Sequence, residues 1–451
     1  MSGTARPRPD ANRPGIQKLA LLAALAAGLI IPQWLIGGLV SEREYRQDEA
    51  QADIARQWGA AETLTGPIML LPYQASVPNG PDKPRSHVLG TLMLMPQRLN
   101  ADVTLDPSRR ERGLFGATVY NADAKLEGEF VLPEITLPDH RDLQLDWSRA
   151  SIMLGGSSLR GLTDAVPLQW NGAPILPADL PTSATLCRSN AALQWPVPFT
   201  APARAGTRIP FRLALGFRGT QSLHLRGAAG TTRLRMAAPW GSPGFTGDTS
   251  PFRSEISKDA FSAEWQMSLQ RPLLRQGGEC PGGIEAVTER AGVTLIQPVQ
   301  TYRMVERTAK YALLFVALGF MAYLGFEIAT GLRIHLIQYG LLGCSLTLFP
   351  LLLLAIAEPF GFNIAYAAAA IAIIGQASLF TAGVTRGRLG AVFAGLLASE
   401  MGLIYMILQM ESYALLAGAI ALFLALSALM LLSRGVDWER AAPRDKPSPA
   451  S

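Results

Sequence analysis

Charge is what this sequence has least of. Asp, Glu, Lys and Arg make up 17% of its 451 residues, where soluble domains carry about a quarter. Histidine and cysteine are scarcer still, at four and three. With no CxxC and no Cys/His cluster, metal ligation is not expected. The catalytic contexts GxSxG, HExxH and SxxK are missing too. His87, His140 and His224 stand isolated and read as surface or satisfied histidines. The run Gly155-Gly156-Ser157-Ser158 lacks the strand-to-helix setting of a phosphate cradle and reads as a turn. No basic stripe with interleaved aromatics is visible, so nucleic acid is excluded as a partner. Neither an enzyme nor a cofactor is expected.

What is there is apolar length. A membrane-crossing helix needs about 20 apolar residues, because each rises about 1.5 Å and every backbone group must bond internally. The stretches Leu19 to Val40, Leu336 to Ala357, Pro359 to Thr385 and Ser412 to Ser433 carry no charge. Tyr311 to Leu332 is broken only by Glu327, and Leu389 to Met410 only by Glu400. The fold class expected is therefore an α-helical integral membrane protein of about six spans, one N-terminal and five C-terminal, with a large β-rich extracytoplasmic domain. The first span is read as an uncleaved anchor: its apolar run is about twice that of a signal peptide. The segments expected are a tail over 1–18, the anchor over 19–40, the β-rich domain over 41–308, a five-helix bundle over 309–433 and a tail over 434–451.

Orientation follows from basic residues in short loops. With the N-terminus in the cytoplasm, that side holds Arg6, Arg8, Arg13 and Lys18, then Arg333, Arg386 and Arg388, and finally Arg434, Arg440, Arg444 and Lys446. The opposite short loops hold Glu358 and Glu411 and no Lys or Arg. Both termini are expected inside and the large domain outside, in the periplasm. Arg303, Arg307 and Lys310 run against the bias, but charges beside a long translocated domain weigh little.

The middle of the chain has β texture. Thr91–Met95 and Ala101–Leu105 are β-favouring runs separated by a Pro-containing turn, and Leu126–Leu132 alternates. Ser222–Arg226 and Thr231–Met236 alternate around Gly227–Gly230, which predicts a hairpin. Ser41–Thr63 is expected to extend the anchor helix. The Pro-rich stretch Pro174–Pro202 is a candidate junction between two β-subdomains. Cys187 and Cys280 could pair in an oxidising compartment, while Cys344 lies in an apolar run as a packing residue.

Within the bundle, Glu400 stands out near the middle of its span, where an ionised carboxylate costs about 2.5–3.5 kcal/mol. Protonation would avoid that cost. Gln376 lies at a similar depth, counted from the Arg386/Arg388 loop, so a Glu400–Gln376 hydrogen bond is expected: a neutral clasp between helices, or less readily a proton relay. Arg333, His335, Gln338 and Tyr339 form a second cluster. The last three share a helix face by spacing, as interface anchors or a partner contact. Glu358 is a further candidate. Gly319, Gly325, Gly343 and Ala367–Ala370 offer small surfaces for close packing, and Pro350 predicts a kink.

The C-terminal third resembles the CreD family of bacterial inner-membrane proteins. The likeness is carried by Thr301-Tyr302-Arg303, Lys310-Tyr311, Leu332-Arg333-Ile334-His335 with Gln338-Tyr339, Gly361-Phe362, Ala365-Tyr366 and Val436-Asp437-Trp438. Leu64-Thr65-Gly66-Pro67, Pro72-Tyr73, Pro243-Gly244-Phe245 and Phe261 to Trp265 extend it outside the bundle. The resemblance implies a cell-envelope integrity role: tolerance to colicins and detergents, and in some bacteria a contribution to β-lactam resistance. It carries over no catalytic residue. Ser399-Glu400 departs from the pattern, which has apolar or aromatic residues there, so Glu400 inherits no role. The expected partners are the lipid bilayer and an envelope protein or peptidoglycan contacted by the exported domain; the oligomeric state stays open. A transporter using the bundle is the alternative.

Overall fold

The computed structural model describes residues 16–78, 85–113, 115–137, 141–162, 166–178, 191–197, 199, 204–269, 274–277, 288–295, 301–330, 334–385, 390–410 and 413–434. Two compact units emerge. One comprises Met1–Arg46 with Val299–Ser451, the other Gln47–Pro298. Cys187, Cys280, His140 and Arg333 lie outside the described residues, and so does the Cys187–Cys280 pairing.

The first unit is helical: α1 (Ile16–Gly28), α2 (Ile30–Trp58), α3 (Thr301–Lys310), α4 (Ala312–Thr330), α5 (Leu336–Phe360), α6 (Phe362–Thr385), α7 (Gly390–Gln409) and α8 (Ala414–Ser433). Among the described residues, six stretches are long and apolar enough to cross a membrane, one near the N-terminus and five towards the C-terminus. The break between α1 and α2 falls at Leu29. Its cause is Pro32, whose ring clashes with the carbonyl four residues back, at Gly28. The anchor outruns its apolar segment: α2 continues to Trp58 and crosses from one unit to the other at Arg46/Gln47. It stops short of the expected Thr63, because Gly59 turns the chain at φ +139° and a strand starts at Glu62.

The helical unit also begins earlier than expected after the β unit. α3 belongs to it, with Val305 and Thr308 fully buried. α5 runs unbroken through Pro350 and Pro359. Phe315, Leu346, Phe349, Leu353, Phe393 and Ile404 form the heart of the bundle core.

In the β unit, two sheets share one core. The nine-stranded sheet follows the path Pro243–Gly247, Arg290–Leu295, Ser222–Arg226, Glu62–Val77, Ser86–Leu94, Leu274–Gly277, with three further strands off that path. The eight-stranded sheet runs Arg253–Ile256, Phe261–Ser268, Thr231–Ala238, Arg98–Arg112, Phe115–Val131, Arg208–Thr220, Leu168–Trp170, Ala173–Ile175. Arg98–Arg112 shows the period of two that specifies such a layer: Leu99, Ala101, Val103 and Leu105 are buried, while Asn100, Asp102, Thr104 and Asp106 face out.

Two expectations are corrected here. Gly227–Gly230 is not a hairpin loop. Ser222–Arg226 pairs with Glu62–Thr65 and Arg290–Thr294 in one sheet, while Thr231–Ala238 pairs with Arg98–Thr104 and Phe261–Ser268 in the other. The connection is a crossover through the core edge, with Ala228 and Ala229 fully buried. Pro96 likewise turns a corner between sheets, from Ser86–Leu94 to Arg98–Arg112. Nor does 174–202 divide two subdomains. Strands from before and after it pair within the same two sheets, and their side chains enter a single cluster.

Candidate functional site

The polar residues of the bundle fall into separate places. Glu400 is in the middle of α7 and is 7% exposed. Neither carboxyl oxygen has a hydrogen-bond partner among the described residues. Its carboxyl faces α4 at Gly319, where a Cβ would stand 3.6 and 3.7 Å from the two oxygens. The expected bond to Gln376 is absent. Gln376 misses in depth as well as azimuth: Tyr366 hydrogen-bonds the Met401 carbonyl and Gly390 packs on Ala382, so Gln376 lies roughly one to two turns nearer the α6–α7 link than Glu400 does. Ala369, Ile373 and Ala377 form the buried stripe of α6, and Gln376 lies on the exposed side with Ala372 and Leu379.

The second cluster also separates. His335 and Gln338 close the start of α5 in a reciprocal cap. The Ile337 N–H donates to His335 Nδ1 at 3.3 Å, and the His335 N–H donates to Gln338 Oε1 at 3.2 Å. This satisfies donors that a helix start leaves free. Tyr339 turns inward instead, fully buried, and donates to Glu327 Oε2 at 2.8 Å. The other oxygen of Glu327 receives Lys18 Nζ at 2.5 Å; Lys18 also donates to the Ile334 carbonyl at 2.6 Å and lies 5.3 Å from the centre of the Tyr339 ring. One lysine thus ties α1 to α4 and α5. Sequence reading took Lys18 only as a topology charge and Glu327 as an interruption. The available signal was that, with the N-terminus inside, both fall on the cytoplasmic side of their spans. Glu358 pairs with Arg43 at 3.6 Å, joining α5 to α2.

In the β unit the Gly155–Ser158 turn does cradle an anion, an internal one. The Glu62 carboxylate accepts backbone N–H groups from Ser157, Ser158 and Leu159 and the Ser157 hydroxyl at 2.8 Å. Nearby Tyr120 donates to the Ser222 carbonyl at 2.9 Å. Burial first, then the Glu62 charge, holds its phenol far above the ordinary range, so it serves as a fixed donor. His224 is buried and shares a hydrogen bond between Nε2 and Thr246 Oγ1 at 2.8 Å. Burial, aided by Arg290, lowers its pKa to about 4. It is a neutral structural histidine, and among the described residues His87 makes a long 3.5 Å contact with Ser76.

The outer face of the eight-stranded sheet is polar and holds a concavity of about 420 Å³ lined by Asp102, Thr104, Asp123, Lys125, Ala214 and Gly216, among others. Register creates it. Asp102 faces Lys125 and Thr104 faces Asp123 across one strand pair, while Ala214 and Gly216 stand beside Lys125 and Asp123 on the next. Small residues on that third strand leave the space.

The chain is 26% identical over 428 residues to the inner membrane protein CreD of Escherichia coli, covering 93% of each. Among solved structures, an M1 zinc metallopeptidase from Deinococcus radiodurans overlaps at a TM-score of 0.21 and 10% identity, over 79% of this chain and 96% of that one. The family described as inner membrane protein CreD matches residues 15–439. From Ile16 in α1 to beyond the end of α8, then, this chain belongs to the CreD family of inner membrane proteins.

Proposed function

We propose that the protein maintains the cell envelope, with the β unit acting in the periplasm as a binding module and the six spans as its platform in the inner membrane. The observation that carries the reading is the polar concavity on the eight-stranded sheet, where opposite charges and small residues meet on a solvated face. Such a surface suits hydrogen-bonding recognition of a polar envelope component, peptidoglycan or an envelope protein, without a chemical step. The basic residues of the short loops support placing both termini in the cytoplasm. Tolerance to colicins and detergents, and a part in the β-lactam response, would be the cellular readout.

The test uses the full-length chain in cells. A photo-crosslinking residue at Ala214 is expected to capture glycan or an envelope protein, and a reporter inserted at Gly230 is expected to be active only in the periplasm. A reporter at Gly230 that works only in the cytoplasm would overturn the reading. Transport is favoured by one observation, the orphan carboxyl of Glu400. Flux through proteoliposomes that disappears in Glu400→Gln would replace the binding reading with it.

A further inference from the structure

Glu400 is set apart by what surrounds it. The other buried acid of the bundle, Glu327, has a lysine and a phenol. Glu400 has neither. α4 presents Gly319, and α5 fills the far side of the same notch with Leu346, whose Cδ1 would lie 2.5 Å from a Cβ at 319. α6 contributes Tyr366, but its hydroxyl donates to the Met401 carbonyl at 2.8 Å. α7 adds Tyr405, whose hydroxyl goes to Asn363 at 3.1 Å. The next ionisable group along α4 is Tyr323, one turn on and packed at a tilt against Phe393 and Tyr339. Beyond it Glu327 lies about 12 Å along the helix from Gly319 and is already paired.

We infer that Glu400 is a proton-binding site within the membrane bundle, at which the gain or loss of one proton is coupled to the packing of α7 on α4. The donor set selects the ligand. A metal cation needs several oxygens around it, and among the described residues no group of three or more His, Cys, Asp or Glu gathers anywhere. A proton is satisfied by one carboxyl alone. Binding forms one O–H bond and removes one charge from an apolar notch; release restores the charge and calls for water or a cation to enter. The neutral acid fits against the Gly319 backbone, and the anion does not. Proton occupancy and helix packing are therefore linked, and each biases the other. The site is independent of the β-unit concavity, so it can stand or fall without the envelope-binding reading.

The experiment uses the full-length protein in vesicles of phosphatidylethanolamine and phosphatidylglycerol, treated with dicyclohexylcarbodiimide. This apolar reagent takes the carboxyl proton onto one nitrogen while the carboxyl oxygen bonds its central carbon; migration to nitrogen leaves a stable acylurea and expels nothing. Peptide mass analysis should find Glu400 modified at about pH 6 and several-fold less at about pH 10, as a buried acid loses its proton. A water-soluble carbodiimide should leave it untouched. Modification that is missing at every pH, or equal with both reagents, overturns the inference. A second readout does not depend on reagent access. The wild-type unfolding midpoint in vesicles should fall as pH rises over this range, because proton release leaves a charge in the apolar notch. In the Glu400→Gln variant, a neutral isostere, it should fall less. Parallel midpoint curves for the two chains also overturn it.

Discussion

Lys18 and Glu327 are 309 positions apart, and their meeting decides how the first helix is seated in the bundle. Glu327 is 4% exposed and Lys18 is at 21%, so removing one partner leaves the other poorly solvated. Glu327→Ala should cost about 3 kcal/mol, near the low end for breaking a buried pair. The double variant Lys18→Met/Glu327→Gln should recover most of it. Thermal unfolding of the full chain in detergent reads both, and equal melting of the single and double variants would refute the clasp. His224 gives a second residue-scale prediction. Its proton affinity is lower folded than unfolded, so its stabilising share is complete above the ordinary value of 6.5 and is lost as pH falls towards about 4. The loss is about 2 kcal/mol after allowance for solvent screening. Subtracting the pH profile of His224→Gln from the wild type should reveal that step, and a flat difference would exclude it. Of these roles the sequence exposed only the oddity of Glu400 and the reading of His224 as a satisfied histidine. Depth counted from a loop assumes that both helices leave it at the same level, and azimuth depends on which face the neighbouring helices cover; Gln376 was misassigned on both grounds.

At the scale of elements, the helices were legible nearly to their ends, because hydrocarbon permits few solutions for a backbone. Strands were legible as well: Ser222–Arg226 is where alternation put it. Their pairing was not. Alternation says which side chains face a core, and a short Gly-rich link can either reverse a strand within a sheet or carry it to the opposite sheet. The link at Gly227–Gly230 does the latter. Close helix packing is testable by contrast. A Cβ on Gly343 would fall 2.4 Å from Leu29 Cδ1 and 2.9 Å from Phe320 Cζ, whereas one on Gly375 would meet nothing within 4 Å. Gly343→Ala should destabilise by about 1–3 kcal/mol through overpacking. Gly375→Ala should be neutral or stabilising by up to about 1 kcal/mol, since alanine favours a helix. If the two variants melt alike, the close approach of α5 to Leu29 and Phe320 is not what holds that contact.

For the whole molecule, the question is whether the β unit works through a surface or merely fills space between spans. The inward face of Arg208–Thr220 is committed to the shared core through Phe211, Leu213, Leu215 and Phe217. The outward Ala214 is free to change without touching that core. Ala214→Trp would place a large ring in the concavity beside Lys125, at a position where strands accept aromatics readily. The variant should reach the membrane in normal amount and unfold like the wild type. If the envelope role runs through this surface, it should nevertheless fail to restore detergent tolerance to cells lacking the protein. Restoration at wild-type level would move the binding surface elsewhere on the β unit. Loss of tolerance together with loss of the folded protein would show instead that the outer face supports the sandwich. Lys125→Glu, which reverses one charge of the concavity without adding bulk, separates these outcomes, since a recognition surface should feel the charge even where the fold does not.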